Sequence, residues 1–245
     1  VGNTFGKFGL LLSGYYAGKR NGPVAHSDFH KGIITLRRDY AISNKTKWVN
    51  QLTYVDYSSD MVGSLDSTHF ANKDYSTPQT FTYRKVPSLR YKSQLFHQWN
   101  SNSTTQAAFV YRDNSVQQNP SYRIKNVTND PSIAHGEINE SAYNSYMLVV
   151  QHQQAFRFLN SKLIAGISAD ASPSTYNSGY IRIQRDGRGY YVNYATTDSV
   201  LSNYSTGISN IASYVNYEAE LLKGLKLTAA LRYDYYHYTF DNTLP

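Results

Sequence analysis

Cysteine is absent from the 245 residues, which excludes disulfides and thiolate metal sites. No apolar run approaches the roughly 18 residues that a membrane-spanning helix needs; the longest are short stretches such as Met147-Leu148-Val149-Val150. Charge is also scarce. Only 17% of residues are Asp, Glu, Lys or Arg, against about a quarter in ordinary globular chains. With 40% hydrophobic residues, the chain is too apolar and too weakly charged for a disordered tail. Val1 to Leu12 lack the charged start, apolar centre and small-residue cleavage site of a secretory signal. The chain is therefore expected to be cytosolic, mature, or a piece of something longer.

The abundant residue is tyrosine, with 24 copies beside 10 Phe and 2 Trp. Alternation between apolar and polar residues replaces helical periodicity, and period two belongs to half-buried strands. From Leu225 to Tyr235, odd positions are Leu, Leu, Ala, Leu, Tyr and Tyr, while even positions are Lys, Thr, Ala, Arg and Asp. Val215, Tyr217, Ala219 and Leu221 repeat the pattern before a Lys223-Gly224 turn. Tyr146-Leu148-Val150, Leu163-Ala165-Ile167-Ala169, Leu89-Tyr91-Ser93-Leu95 and Thr105-Ala107-Phe109-Tyr111 do the same.

This reading gives nine long strands, at 4–17, 31–42, 46–57, 84–98, 104–114, 142–157, 161–171, 208–222 and 225–238. Short connections (43–45, 99–103, 158–160, 223–224) alternate with long ones (18–30, 58–83, 115–141, 172–207). Long unstructured loops are uncommon in compact soluble domains. Long strands joined alternately by short turns and long loops match the transmembrane β-barrel. The apolar face is expected to end in interfacial aromatics: Tyr16, Trp48, Tyr54, Tyr57, Trp99, Tyr111, Tyr143, Tyr146, Tyr217, Tyr233 and Tyr235. The other face carries Arg37, Asp39, Arg90, Lys92, Arg112, Asp170, Glu218, Glu220, Arg232 and Asp234, which suits a lumen holding water or a plug. The expected fold is an all-β, antiparallel up-and-down transmembrane barrel. Nine strands is an odd number and Asp241–Pro245 begins another loop, so the barrel is expected to be incomplete, cut at both ends.

Three blocks carry a resemblance: Gly22-Pro23-Val24-Ala25-His26-Ser27-Asp28-Phe29, Thr80-Phe81-Thr82-Tyr83-Arg84-Lys85-Val86, and Tyr111-Arg112-Asp113-Asn114 running on through Pro120-Ser121-Tyr122-Arg123-Ile124. They resemble the TonB-dependent outer-membrane receptors, especially the iron-complex receptors of Bacteroidota-like bacteria. The resemblance implies a barrel of about 22 strands with an N-terminal plug that engages TonB. Residues 1–245 would then be part of the barrel domain, with the plug and the remaining C-terminal strands outside this chain. It also implies uptake of a ferric siderophore or similar iron complex, and no chemistry performed on it. A passive porin-like barrel and a soluble glycan-binding β-module are the competing readings.

Candidate ligand residues cluster in Tyr180–Tyr194, a hairpin centred on Asp186-Gly187. Arg182, Arg185 and Arg188 with Tyr190, Tyr191 and Tyr194 suit an anionic, ring-bearing ligand, and Tyr122 and Arg123 form a second group. Alternation sends Arg182 and Gln184 to one face, and Ile181, Ile183 and Arg185 to the other. Across the turn, Tyr191 and Asn193 are expected opposite Tyr190, Val192 and Tyr194. His26, Asp28 and His30 have a spacing that suits a metal only if they share a strand face; no metal site or cofactor is expected. No nucleophile elbow, phosphate loop or zinc-protease sequence occurs, so no enzyme is expected. The net charge of +7 is dispersed over strands and loops. A basic balance can mean nucleic acid, but with this dispersal binding to anionic outer-membrane lipid or lipopolysaccharide explains it equally well, and no nucleic-acid partner is expected.

Overall fold

In the computed structural model, residues 1–244 are described. Each alternating segment pairs with the next, producing one antiparallel sheet of 11 strands. The strands are β1 (Gly2–Phe5), β2 (Phe8–Lys19), β3 (Phe29–Ser43), β4 (Thr46–Asp60), β5 (Tyr83–Asn100), β6 (Ser103–Asn119), β7 (Lys125–Val127), β8 (Asp130–Phe156), β9 (Ser161–Arg185), β10 (Tyr191–Leu222) and β11 (Leu225–Asn242). Neighbours in sequence are neighbours in space, except that the short β7 pairs only with β8, which itself lies beside β6. The architecture is the antiparallel, barrel-like sheet expected from the alternation, with β1 and β11 as its edges among the described residues.

Two features of the strand assignment change. The expected strand 4–17 is two strands, because Gly6 adopts φ +58° and the chain folds back so that Phe5 pairs with Phe8. Glycine reaches that conformation at little steric cost. The connections 115–141 and 172–207 are largely strand. β9 and β10 stay paired from Lys162–Glu218 to Asn177–Asn203 without a register shift, and they continue to Arg185–Tyr191 beyond irregularities near Val200. Residues such as Ser172, Ser174, Thr206 and Asn203 carry no apolar alternation, so hydropathy gives no signal there while the hydrogen-bond ladder continues. The span 58–83 does contain a long connection, residues 61–82, with a short helix α1 (Ser67–Ala71).

Register fixes the two sides of the wall, since directly opposed residues share a side. One side carries the rows Leu12–Leu36–Leu52–Tyr91 and Leu148–Ala169–Ile211–Tyr235. Many of its side chains are exposed: Ile167 at 60%, Ile211 at 62% and Leu231 at 72%. Tyr57 and Tyr143 depart from their expected places on this side. Tyr57 opposes Lys31 and Tyr143 opposes Asn114 and Ser174, all on the polar side.

The polar side neutralises many of its charges in pairs. Asp39 holds both Arg37 and Lys47 at 2.8 Å, Arg112 lies 3.7 Å from Asp170, Lys162 lies 3.2 Å from Glu218, and Arg232 meets Asp234 at 2.8 Å. Exposed and partly exposed pairs of this kind add little net stability. Their effect is to lower the cost of lining a wall with charge. Gly166 lies on the same side beneath the Tyr214 ring, where an added Cβ would sit 2.4 Å from a ring carbon. That close approach lets the Tyr214 hydroxyl donate to Gln151 at 2.9 Å.

Candidate functional site

The sheet has a short-turn end, at Gly6-Lys7, Asn44-Lys45, Ser101-Asn102, Arg157–Asn160 and Lys223-Gly224, and a far end where β8, β9 and β10 run on. The far end contains two distinct surfaces, one closed and one open.

The closed surface is a small core. Ala134, Ile181 and Ile183 are essentially fully buried and Tyr191 is 8% exposed, with Phe81, Ile124, Ile138 and Tyr194 packed around them. The connection 61–82 covers this cluster. Met61 N–H donates to the Thr82 carbonyl at 3.0 Å and closes the base of the loop. Tyr191 N–H donates to Pro78 O at 2.9 Å, and the Thr80 hydroxyl donates to Tyr191 O. Phe81 and Tyr194 are in ring contact at 4.9 Å. His26, held at φ +51°, places Nε2 2.9 Å from Thr82 O and Nδ1 3.6 Å from Asp60. His30 instead faces Asp56 at 3.5 Å, and Asp28 accepts from Asn21 N–H at 2.9 Å. His26, Asp28 and His30 therefore do not converge.

The expected ligand residues divide between the two surfaces. Arg182 is exposed between the buried Ile181 and Ile183, as alternation requires. The turn differs from the simple Asp-Gly hairpin: Asp186 N–H donates to Tyr190 O, Gly189 N–H donates back to Asp186 O, and the positive φ of +87° falls on Gly189. A register shift between Tyr191 and Asn193 leaves Val192 as an extra residue. A bulge of this kind re-aims side chains, and here Tyr191 and Tyr194 both pack against the small core rather than pointing apart. The Tyr191 hydroxyl donates to Asn126 at 2.9 Å. Arg185 donates to Pro131 O at 3.0 Å and lies over the Tyr191 ring. Arg185, Tyr191 and Tyr194 thus spend their chemistry inside the fold.

Arg188, Tyr190, Tyr122 and Arg123 lie on the accessible part. Arg188 is paired with Asp186 at 3.2 Å and lies over the Tyr190 ring at 5.2 Å. Hydrogen bonds from the Tyr190 amide first, then from the Arg188 amide and guanidinium, hold the Asp186 carboxyl below its ordinary range. Tyr122 is 64% exposed with the Arg123 guanidinium over its ring at 5.8 Å, and Arg123 lies 3.5 Å from Glu137. Asn139 donates to the same Glu137 carboxylate at 2.7 Å.

The open surface adds residues that the hydropathy reading missed. On the polar side, Tyr176 stacks on Tyr204 at 5.2 Å, and Tyr204 meets Phe240 at 5.5 Å. Tyr236 and Tyr238 stack at 6.0 Å, and His135 meets Tyr180 at 5.1 Å. Burial pushes the Tyr176 hydroxyl up, the Glu137 charge adds to the shift, and the Arg123 charge opposes it. The missed signal was parity. Tyr236, Tyr238 and Phe240 occupy the even positions that Arg232 and Asp234 fill lower in the strand. Chemically the surface offers stacking area, fixed cations and acceptors.

No known protein-family profile matches the chain, and no curated protein matches it in sequence. Solved structures do match its fold. The ferric citrate transporter FecA in the unliganded form superposes with a TM-score of 0.78 at 14% identity, over 99% of this chain and 34% of that one. FpvAI in its complex with pyocin S2 gives 0.75 at 12% identity, over 98% of this chain and 35% of that one. The siderophore receptor PiuA from Acinetobacter baumannii gives 0.65 at 10% identity, over 100% of this chain and 41% of that one. The fold is therefore β-barrel-like and similar to the barrels of these proteins. The chain spans about a third of the length of the first two of these proteins.

Proposed function

We propose that this chain forms part of the barrel of a bacterial outer-membrane receptor that takes up a ferric siderophore or similar iron complex, powered by TonB through a plug domain. The observation that carries the reading is the union of two surfaces on one sheet. One side is a broad, exposed, mostly apolar wall, as lipid contact requires. The other side is polar and largely ion-paired, and at its far end bears the Tyr176–Tyr204–Phe240 ladder and the Arg123–Glu137 pair. Aromatic faces and guanidinium groups together suit an anionic ligand carrying rings or delocalised oxygens. The fold likeness to iron-complex receptors supports the same reading.

In this reading the far end is extracellular and the short turns are periplasmic. Capture falls to Tyr122, Arg123, Arg182, Arg188 and Tyr190, joined by Tyr176 and Tyr204. Arg185, Tyr191 and Tyr194 brace the loop cap. The basic residues of the outer surface face lipopolysaccharide, no nucleic acid is bound and no reaction is catalysed. The test is uptake of radiolabelled ferric siderophores by cells carrying the full-length protein, with and without TonB, together with binding to Arg123→Ala and Tyr204→Ala variants. Energy-dependent uptake and roughly tenfold weaker binding by either variant are expected. Uptake that is indifferent to TonB would replace the receptor by a passive pore. Unchanged affinity in both variants would remove the ladder from the binding site.

A further inference from the structure

The apolar side of the wall has a polar notch toward the short-turn end, above the polar row Thr46–His97–Thr105–His152 that borders the turns. Register places Leu10, Arg38, Asn50 and Ser93 in a row across β2, β3, β4 and β5. Immediately toward the short turns lies the row Phe8–Tyr40–Trp48–Leu95, and away from them lies Leu12–Leu36–Leu52–Tyr91. The Arg38 guanidinium stands over three rings at once: Phe8 at 5.1 Å, Trp48 at 5.7 Å and Tyr40 at 5.8 Å. Among the described residues no carboxylate lies within 4.0 Å of it and nothing accepts a hydrogen bond from it. The neighbouring Asp39 is on the opposite side, spent on Arg37 and Lys47.

The rest of the notch also consists of unspent donors. Tyr91 donates its hydroxyl to Asn50 Oδ1 at 2.7 Å, so the Asn50 amide is fixed by its acceptor end. Asn50 Nδ2 is buried and has no partner. Trp48 Nε1 donates to Ser93 Oγ at 2.9 Å, leaving the Ser93 proton to point elsewhere. A guanidinium, an orphaned amide and a hydroxyl thus stand side by side in one register row on the apolar side, and none of the three has an acceptor for its free donors among the described residues. Arg38 is exposed on the apolar side and Asn50 Nδ2 is buried; a charge facing hydrocarbon without a counter-ion and a buried donor without an acceptor are both costly, and one anionic oxygen would answer both.

We propose that Arg38, Asn50 and Ser93 bind the phosphodiester of a glycerophospholipid in the membrane leaflet on the short-turn side. Its acyl chains lie along Leu10, Leu12, Leu36 and Leu52. The rings of Phe8, Tyr40 and Trp48 fix Arg38 at the boundary and hold the guanidinium fork toward the headgroup. A phospholipid fits better than free phosphate because the donors open onto the apolar side of the wall, beside leucines rather than water. The proposal rests on the membrane reading above and is independent of the transported ligand.

The test is native mass spectrometry of the full-length receptor in detergent, delipidated and then titrated with phosphatidylglycerol or with a diacylglycerol of the same chains. Heat-modifiable mobility on gels reports an intact barrel. Wild type is expected to retain phosphatidylglycerol and not diacylglycerol, and excess inorganic phosphate is expected not to displace the lipid. Arg38→Gln and Asn50→Leu should each weaken retention roughly tenfold, whereas Arg157→Gln, a basic residue in the turn between β8 and β9, should leave it unchanged. If Arg38→Gln does not fold, Asn50→Leu decides alone. Equal retention by a folded Arg38→Gln or Asn50→Leu variant, equal retention of diacylglycerol, or displacement by phosphate overturns the proposal. Recovery of the protein without detergent would overturn the membrane reading, and the proposal with it.

Discussion

Ile167 and Ile183 stand on the same strand and on the same side of the β8–β9 pair, yet Ile167 is 60% exposed and Ile183 is fully buried. The wall around Ile167 is one sheet thick. It has no second layer on its apolar side, so its hydrophobic stabilisation must come from the surrounding medium. The cap around Ile183 is a two-layer structure in miniature, in which residues 61–82 cover the β8–β9–β10 extension as a core would be covered in a water-soluble protein. One strand thus crosses from a region stabilised by what surrounds it to a region stabilised by what the chain itself brings back.

The largest effect that separates the two regions is expected from Ile183→Ala. Truncating a fully buried isoleucine costs about 2–5 kcal/mol. The loss should be confined to the cap: the Tyr191 amide bonded to Pro78 should exchange its hydrogen faster, and residues 61–82 should become open to proteases. Wall amides such as those of Val149 and Ser168 should keep their protection. Loss of protection in wall and cap together would make them a single cooperative unit.

The converse substitution is Ile167→Arg. In a bilayer, an arginine at mid-depth on the lipid side costs about 2–4 kcal/mol. Folding titrations of the complete barrel into vesicles should show that cost, and cap protection should be unaffected. A neutral Ile167→Arg would place this side away from lipid.

The wall was legible in the sequence because one side is apolar and the other charged, so period two appears in the residues themselves. The Leu225–Tyr235 alternation, with its Lys223-Gly224 turn, is found as read. The extensions were illegible for a physical reason. Beyond the apolar band both sides are polar or aromatic, and nothing in Ser172–Tyr180 distinguishes a paired strand from a loop. The cap was hidden by its non-local contacts: Phe81 and Ile183 are far apart in the chain, and no local pattern pairs them. Of the expected ligand residues, the hairpin itself was readable. The extra residue Val192, which turns Tyr191 and Tyr194 to one side, was not, since a bulge is invisible to simple alternation.

A smaller effect is expected from Gly166→Ala on the polar side of the wall. The new methyl would press on the Tyr214 ring, forcing it aside and breaking its hydroxyl bond to Gln151. Overpacking of this kind costs about 1–3 kcal/mol. Pairing the substitution with Tyr214→Ser should restore most of that loss in the same vesicle titration. If the double variant is no better than Gly166→Ala alone, the close ring approach is not the source of the cost.

The smallest effect concerns the tip of the cap. Asp186 accepts from the Tyr190 amide at 2.9 Å and the Arg188 amide at 3.0 Å, and it meets the Arg188 guanidinium at 3.2 Å. These bonds favour the charged carboxylate, so its pKa in the folded hairpin lies below the unfolded value. The sign of the linkage follows: the stabilisation is fully present above the unfolded pKa and is lost as pH falls through the lower, folded one. The tip should therefore stay ordered at neutral pH and loosen only in acid, while the wall, which does not depend on this carboxylate, stays unchanged. Amide chemical shifts of Arg188 and Tyr190, followed by NMR through the acid range, report the midpoint directly. It should fall below the ordinary aspartate value of about 3.9, and Asp186→Asn should abolish the transition at both amides. A midpoint at or above the ordinary value would mean that the carboxylate does not organise the turn, leaving the left-handed Gly189 to hold it.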